Sequence, residues 1–385
     1  MGISKPENLD DLSSANLLQQ YEQDLVGTDR FSPEDITPIL LGLYGEVGSI
    51  LAASKKYRRE KSAYPTYINL FEEEFGDAFW YFAALCRRLN VRLTDIFDQI
   101  SSEVGIEVIS VSDQVYPSAP RMITPSQVEQ LDSVLIDLGY MTAQLLKIQK
   151  DAFDVKDKLL NFARLYHQAI QLTGLLFANV LKSNLTKTLG RFSMPSASAL
   201  PDFDGSFPEE EQLPRRFEIH ISQRKSGQSY LRWNGVFIGA PLTDNIKDAD
   251  DYRFHDVFHM AHAAVLHWSP TFRDLIKQKR KSDPIVDETQ DGGRAIVVEE
   301  GLTAWLFSYS KGLNYFEGHD SVSFDALKTI QKFVHGYEVE RCPLKLWEDA
   351  ILQGYSVFRQ VRKNNGGIVI GDRDKREISY CPLGG

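Results

Sequence analysis

Apolar residues recur every three to four positions along the first half of the chain, a spacing that predicts amphipathic helices. Up to residue 108 the pattern predicts helices in residues 32–60, 67–90 and 92–104. A second group follows in residues 128–192, where three more helical patterns succeed one another. The stretch up to residue 192 is therefore predicted to be all-helical.

The pattern changes after residue 215, where alternation replaces the helical spacing. RFEIHISQ alternates polar and apolar residues as a half-buried strand does, and two β-rich runs flank Asn234 and Gly235, a pair typical of tight hairpins. Helical patterns then return, and the final GGIVIGDRDKREISYC indicates a last hairpin. We therefore predict an α+β domain with hairpins in residues 216–385.

Two segments, roughly residues 109–127 and 193–215, have the turn-forming composition of linkers. They divide the chain into residues 1–108, 128–192 and 216–385. The predicted fold class is accordingly multidomain and mainly α.

The two helical segments share a layout of a long helix, a connection, a second long helix and a short third helix. Aligning RLTDIF with LFANVL sets Asp77 over Asn161 and Glu74 over Lys158. We interpret this layout as a tandem helical bundle whose second copy is degenerate. The alternative is that any two helical hairpins look alike.

The composition is that of a soluble globular protein, with 43% hydrophobic and 25% charged residues. The formal net charge of −10 argues against general binding to nucleic acids or anionic membranes. Cys86, Cys342 and Cys381 stand far apart, which fits a reducing cytoplasm. The N-terminus lacks the apolar stretch of a signal peptide, and no run of about 18 apolar residues predicts a membrane span.

The sequence FEEEFGDAFWYF concentrates acids on one helix, with its phenylalanines on another side as predicted core. Glu74 and Asp77 are three positions apart, and Glu73 is four positions from Asp77. Such acids repel one another unless a divalent cation binds them, and oxygen ligands favour Mg²⁺ or Mn²⁺. The alternative is a solvated acidic face. The preceding helix carries one acid, Glu46, on its apolar stripe, and Ser49 stands where a second would be expected.

Together, GLYGEVGSILAASKKYRRE and EEEFGDAFWYFAALCRRLNV resemble the MazG-like nucleotide pyrophosphohydrolases, which are all-α NTP pyrophosphatases. The family pattern is a helix with ExxE followed, after a gap, by ExxD. Here Glu46 belongs to the first helix, and Glu74 with Asp77 forms the ExxD. The resemblance implies an all-α bundle that binds a nucleoside triphosphate with Mg²⁺ and lets water attack the α-phosphorus, which gives a monophosphate and pyrophosphate.

Ser49 departs from the family pattern, which has a second glutamate at this position. Three interpretations stay open: Glu73 compensates, the site binds fewer metal ions, or hydrolysis is lost and a nucleotide sensor remains. The catalytic residues that the resemblance implies are Glu46, Glu73, Glu74 and Asp77, and the metal ligands are Glu46, Glu74 and Asp77.

The sequence SNLTKTLGRF resembles the closing helix of the family, which carries an asparagine and a lysine near the phosphates. The resemblance implies nucleotide-binding roles for Asn184, Lys187 and Arg191. Because the acids lie in the first segment and these residues in the second, we expect the two segments to pair, as an internal pseudo-dimer or across a homodimer. For Lys187 the alternative is a solvated helix end that is well placed for the helix dipole.

A histidine-rich helix, YRFHDVFHMAHAAVLHW, places His255, His259 and His262 on one face. An aspartate lies beside them, and two glutamates follow on another predicted helix. The candidate ligands of Zn²⁺, Mn²⁺ or Fe²⁺ are His255, Asp256, His259, His262, Glu299 and Glu300. The alternatives are a polar core network, a solvated surface, or a histidine general base that needs no metal.

The sequence therefore predicts a Mg²⁺-dependent nucleoside triphosphate pyrophosphohydrolase fused to a C-terminal domain that is a second, metal-dependent hydrolase. The alternative is a weakened MazG-like nucleotide sensor that regulates the C-terminal domain. The residues of the C-terminal domain themselves indicate no family.

Overall fold

The computed structural model describes residues 14–60, 67–104, 125–150 and 153–383. The chain forms two compact units, Met1–Ser193 and Met194–Gly385. The described residues are mainly helical, with one small antiparallel sheet in the second unit. The mainly α fold with an α+β C-terminal part is thereby confirmed, while the tandem origin of the first unit and the three-segment division stay predictions.

The first unit is built from helices around one apolar core. Its described helices are α1 (Ser14–Thr28), α2 (Thr37–Glu60), α3 (Tyr67–Arg88), α4 (Leu93–Val104), α5 (Pro125–Leu145), α6 (Val155–Thr173) and α7 (Phe177–Phe192). The core is aromatic along α3, where Phe75, Phe79 and Phe82 have no exposed surface. The ring of Tyr166 on α6 packs against Phe75 and Phe79. The phenylalanines of α3 therefore face the core as predicted, whereas α1 is a helix that the sequence pattern does not predict.

Helix α2 is long and apolar enough to cross a membrane, judged by length and composition alone. In the structure it packs on α3 and α5, and Leu43, Val47 and Ile50 are among its buried residues. A core helix of a helical bundle meets the same length and composition criteria, so this feature alone is weak evidence for a membrane span.

The second unit contains a five-stranded antiparallel sheet. Its strands are β1 (Arg216–Gln223), β2 (Ser229–Trp233), β3 (Val236–Leu242), β4 (Gly366–Asp372) and β5 (Glu377–Cys381), in the order β3-β2-β1-β4-β5. Asn234 and Gly235 have φ angles of 48° and 81° between β2 and β3. Two positive φ angles are typical of the type I′ turn that Asn-Gly favours. Both predicted hairpins, β2–β3 and β4–β5, are confirmed.

Helices cover this sheet and enclose the second core. They are α8 (Asp256–Ala261), α9 (Pro270–Ile276), α10 (Pro284–Thr289), α11 (Gly293–Lys311), α12 (Phe324–Phe333) and α13 (Leu344–Asn364). Helix α13 packs against α8 and against β4 and β5. Gly354 permits the close approach of α13 to α8, because a Cβ at this position would lie 2.9 Å from the Cβ of Ala261. This packing places the histidine-bearing α8 in the interior.

The segment before β1, whose composition suggests a linker, contributes buried residues to the second unit. Phe203 and Leu213 are buried in its core. Asp204 accepts hydrogen bonds from Arg273 at 2.5 Å and from Arg373 at 2.8 Å. The segment therefore packs as part of the second unit, which begins at residue 194.

Candidate functional site

The first candidate site lies where α3 meets α7. The Nζ of Lys187 is 2.8 and 2.6 Å from the two carboxylate oxygens of Asp77 and 3.0 Å from Oε1 of Glu73. Asn184 donates from Nδ2 to Oδ1 of Asp77 at 3.1 Å. The predicted acids of α3 are therefore in contact with the predicted nucleotide-binding residues of α7. The two groups lie 107 to 114 positions apart in sequence.

A glycine permits this contact between the helices. A Cβ at Gly76 would lie 2.9 Å from the Cβ of Asn184, so any larger residue would separate α3 from α7. Asn184 is buried, and the hydroxyl of Tyr21 on α1 donates to its Oδ1 at 2.6 Å. The chain Tyr21–Asn184–Asp77 thus orients the carboxylate of Asp77.

Three carboxylate oxygens converge on the ammonium group of Lys187. Burial is the largest influence on the pKa of Lys187 and lowers it, but the charges of Asp77 and Glu73 and their hydrogen bonds outweigh burial, so the pKa is raised. A cation already lies between the two acids. Carboxylate oxygens that converge on a cation are the donors that Mg²⁺ and Mn²⁺ prefer, so these residues fit a divalent ion.

Glu46 on α2 and Glu74 on α3 are half-buried, and both take part in contacts or electrostatic interactions. The ring of Tyr81 lies over Gly42 of α2, where a Cβ would be 2.1 Å from the ring. Burial, then the charge of Glu46, then that of Asp77 raise the pKa of the Tyr81 hydroxyl. Glu46 and Asp77 therefore act on the same hydroxyl from two helices, and the metal-binding roles of the acids stay predictions.

A pocket of about 140 Å³ opens beside these residues. It is lined by Glu72, Glu73, Ser183, Asn184 and Lys187. Pockets that enclose a whole drug-sized ligand measure about 300 Å³ or more, so this pocket is too small to enclose a complete nucleotide. Arg191 lies one turn beyond Lys187, with its guanidinium carbon 5.2 Å from the centre of the Phe192 ring.

The second candidate site lies in the second unit, where the helical pattern of residues 252–268 is broken into three parts. Tyr252–Phe254 form a 3₁₀ turn, α8 follows, and His262–Leu266 form a π-helical turn. The turn ends at His267, whose φ is 59°. π-helical turns are rare in proteins, and those that occur are often at functional sites. The histidines of this segment are therefore candidates for a functional role.

His259 is the centre of the histidine cluster and has no exposed surface. Its Nδ1 is 3.1 Å from Oε1 of Glu299, and its Nε2 is 3.3 Å from Oε1 of Glu300. Neither contact has hydrogen-bond geometry, so both ring nitrogens are buried without a hydrogen bond. Burial lowers the pKa of His259, but the charge of Glu299 and the contacts with both glutamates outweigh it and raise the pKa.

Glu299 is fully buried and surrounded by donors. Its Oε1 is 2.9 Å from Nδ1 of His262, on the side that also faces His259. Its Oε2 accepts from the hydroxyl of Ser269 at 3.1 Å and from the backbone N–H of Thr271 at 3.0 Å. Burial raises the pKa of Glu299, but the two histidines outweigh it and hold the pKa well below its usual range.

His255 and Glu300 lie on the other side of His259. The Nε2 of His255 is 3.6 Å from Oε2 of Glu300 and 3.9 Å from Oδ1 of Asp256. Its Nδ1 is 2.9 Å from the carbonyl oxygen of Tyr252, whose ring stacks on the imidazole at 4.3 Å. Burial raises the pKa of Glu300, but its contacts with His255 and His259 outweigh burial and lower the pKa to about 2.

The six predicted ligands of the C-terminal domain therefore lie together. Two overlapping sets of three have ligand atoms within 4.8 Å of one another. They are His255, Asp256 and His259, and His259, His262 and Glu299. The buried ring nitrogens of His259 without hydrogen bonds and the mixed nitrogen and oxygen donors fit Zn²⁺, Mn²⁺ or Fe²⁺.

Comparison with known proteins gives a family match within the second unit. Residues 198–384 match the family model of the MazG C-terminal domain. The match supports a MazG-like C-terminal part, a likeness that the residues of this domain do not indicate by themselves. The N-terminal half has no family match, and no curated protein and no solved structure matches the chain.

Several residues that support the two sites are absent from the sequence prediction. Tyr21 orients Asn184, Tyr252 holds His255, and Ser269 donates to Glu299. Ser269 precedes a proline and caps α9, which is a sequence signal for a helix start but not for a contact with a glutamate. The two tyrosines give no signal, because their contacts depend on which helices pack together.

Proposed function

We propose that the chain is a Mg²⁺-dependent nucleoside triphosphate pyrophosphohydrolase whose C-terminal unit carries a second, metal-dependent hydrolase site. The observation that carries this proposal is the contact of Asp77 and Glu73 with Lys187 and Asn184. It joins acids suited to a divalent cation with a lysine and an amide suited to a triphosphate. The match of residues 198–384 to the MazG C-terminal domain supports the same family.

In this proposal α7 binds the triphosphate. Lys187 leaves Glu73 and Asp77 and binds phosphate oxygens, Asn184 donates from its amide, and Arg191 contributes a second cation one turn on. Their positive charge and N–H donors neutralise the triphosphate and fix its orientation, which is most of what phosphoryl transfer requires of a protein.

The acids of α2 and α3 would hold Mg²⁺, and the attacking water would lie beside them. Glu46, Glu74 and Asp77 would be its ligands, and Mg²⁺ when bound would supply charge neutralisation and lower the pKa of a water. The water oxygen bonds to the α-phosphorus while the bond to the oxygen shared with the β-phosphorus breaks. Glu73 accepts the proton of the water, and a nucleoside monophosphate and pyrophosphate are released.

The test is pyrophosphate release from a panel of ribo- and deoxyribonucleoside triphosphates with Mg²⁺. We expect release by the natural chain and its loss in Asp77→Asn. Asp98→Asn is the matched control, since Asp98 is an exposed aspartate on α4 of the same unit. Equal activity of the Asp77→Asn variant and the natural chain would exclude the proposed site.

A nucleotide sensor is the second candidate function, and one observation favours it. Lys187 already neutralises Asp77 and Glu73, and Ser49 on α2 brings no charge to the site. A sensor predicts triphosphate binding without pyrophosphate release, and binding that weakens in Lys187→Met. Absence of both release and binding would contradict the enzyme and the sensor alike.

We further propose that the chain works as an internal pseudo-dimer in the cytoplasm. The contact of α3 with α7 lies within one unit of one chain, so no second copy is required to bring the acids to Lys187. The three cysteines are free thiols, which suits a reducing compartment. Light scattering of the active protein tests the first point, since activity confined to a dimer would contradict it.

A further inference from the structure

We propose that the histidine cluster of the second unit is a single-ion site formed by His255, Asp256, His259 and Glu300, in which Glu299 is a positioning residue. The ion is one transition-metal dication, with Zn²⁺ the best match to two imidazoles and two carboxylates. This assignment rests on the proposed metal-dependent role of the second unit. It divides the six ligands predicted from the sequence into four that bind the ion and two, Glu299 and His262, that support them.

The two nitrogens of His259 face different surroundings. Nδ1 faces Glu299 in the fully buried interior, and Nε2 faces Glu300, whose side chain is 38% exposed. A metal-binding histidine usually turns one nitrogen to the ion and the other to a carboxylate or carbonyl that fixes the ring. The Nδ1 contact with the interior carboxylate is an ion-pair distance of 3.1 Å without hydrogen-bond geometry, and we take Nδ1 as the supported nitrogen because Glu299 itself is held by Ser269 and Thr271, which leaves Nε2 as the ligand.

Glu299 has little capacity left for an ion. A carboxylate has about four lone-pair positions, and those of Glu299 face His259, His262, the hydroxyl of Ser269 and the N–H of Thr271. Since His262 turns its Nδ1 to this same carboxylate, it belongs to the support of the site. Glu299 thus orients the ring of His259 and is not itself a ligand of the ion.

His255 shows the same arrangement from the next turn of the chain. Its Nδ1 donates a hydrogen bond to the carbonyl oxygen of Tyr252 at 2.9 Å, so the lone pair of the neutral ring is on Nε2. The stacked Tyr252 ring, 5° from parallel, holds the imidazole in place. Both histidines therefore present Nε2 to the same space beside Glu300.

The spacing of the ligand atoms of these four residues fits a metal. Ligands of a tetrahedral ion with bonds of about 2.0–2.1 Å lie roughly 3.4 Å apart. Here Nε2 of His259 is 3.3 Å and Nε2 of His255 is 3.6 Å from the oxygens of Glu300, and Oδ1 of Asp256 is 3.9 Å from His255. Both ring nitrogens of His259 are buried without a hydrogen bond, and Nε2 is the one on the side of Glu300.

The experiment is calorimetric titration of Zn²⁺ into the metal-stripped full chain in an Asp77→Asn background, which weakens any binding at the carboxylates of the first unit. We expect one ion per chain. Loss of a supporting residue weakens metal binding by at most about 100-fold. Glu300→Gln and Asp256→Asn each remove a ligand, so each should weaken Zn²⁺ binding by more than that. Glu299→Gln should weaken it about 10- to 100-fold, because a ring orientation is lost but no ligand is removed.

Glu288→Gln, an exposed glutamate on α10, is the matched control and should bind like the background protein. A tetrahedral Co²⁺ absorption spectrum, measured on the same variants, should be kept in Glu299→Gln and lost in Glu300→Gln. Unchanged Zn²⁺ affinity in Glu300→Gln, or loss of the Co²⁺ spectrum only in Glu299→Gln, would overturn the assignment. The readout is metal binding, so the outcome is independent of pyrophosphate release by the first unit.

Discussion

In the proposed function, Lys187 determines how accessible Asp77 is to a metal ion. Its ammonium group contacts both oxygens of Asp77, a proposed metal ligand, and one oxygen of Glu73, the proposed proton acceptor. A nucleotide would attract this lysine toward its phosphates and release the carboxylates. Metal binding and nucleotide binding are then coupled, because both depend on where one side chain lies.

Replacing Lys187 with methionine should therefore change the two affinities in opposite directions. We expect Mn²⁺ to bind about tenfold more tightly without nucleotide, which corresponds to about 1.4 kcal/mol, and a non-hydrolysable triphosphate to bind more weakly. Electron paramagnetic resonance of free Mn²⁺ measures the first effect. Lys156→Met, an exposed lysine on α6, is the control, and an unchanged Mn²⁺ affinity in Lys187→Met would refute the coupling.

Single residues also show what the sequence can reveal about a site. Resemblance to a family is enough to select Asn184 and Lys187 as partners of the acids, because the motif carries them at a fixed spacing. Tyr21 has no such motif, and the separate tasks of Glu299 and Glu300 depend on which way two adjacent side chains turn. Adjacent residues on a helix point about 100° apart. Which side chains each of them contacts depends on how the neighbouring helices pack, and the sequence does not show this.

The elements show how glycine sets the geometry of the first site. Helices α3 and α7 approach at Gly76, which lies between Glu73 and Asp77 and packs on Asn184. The predicted elements are most accurate where the pattern is regular, as in β1, whose observed bounds equal those of the predicted strand RFEIHISQ. The prediction of one continuous helix is wrong at residues 252–268. A 3₁₀ turn, an α-helix and a π-helical turn follow one another there, and their apolar residues keep the spacing of a single helix.

Gly76→Ala should test the helix contact. A Cβ 2.9 Å from Asn184 overpacks the interface, and overpacking costs about 1–3 kcal/mol of unfolding free energy. Gly48→Ala on α2 is the control, since no atom lies within 4 Å of its Cβ and alanine favours helix by about 1 kcal/mol. Urea unfolding measures both variants, and a Gly76→Ala protein as stable as the Gly48→Ala protein would contradict the packing.

At the scale of the whole molecule, the charged residues of the segment before β1 make the stability of the second unit sensitive to acid. Burial raises the pKa of Asp204, but Arg373 and Arg273 outweigh it and lower the pKa below its ordinary value of 3.8. A carboxyl group whose pKa is lower in the folded state stabilises the fold fully above about pH 3.8. That contribution is lost as the pH falls through the folded-state pKa.

Asp204→Asn should destabilise the second unit by about 3–5 kcal/mol at pH 7, the usual effect of breaking a buried ion pair. The difference from the natural chain should shrink below about pH 4. Fluorescence of Trp268 and Trp347, which are buried in this unit, reports its unfolding. Asp374→Asn removes an exposed pair and should change stability little, and a pH-independent effect of Asp204→Asn would contradict the assignment.

The central claim is that water attacks the α-phosphorus of a triphosphate held between α3 and α7. The most direct measurement is turnover with Mg²⁺ in ¹⁸O-labelled water, followed by mass spectrometry of the products. We predict that the label appears in the nucleoside monophosphate and that no labelled product forms with Asp77→Asn. Label in pyrophosphate or inorganic phosphate, or equal labelling by the Asp77→Asn variant, would contradict the claim.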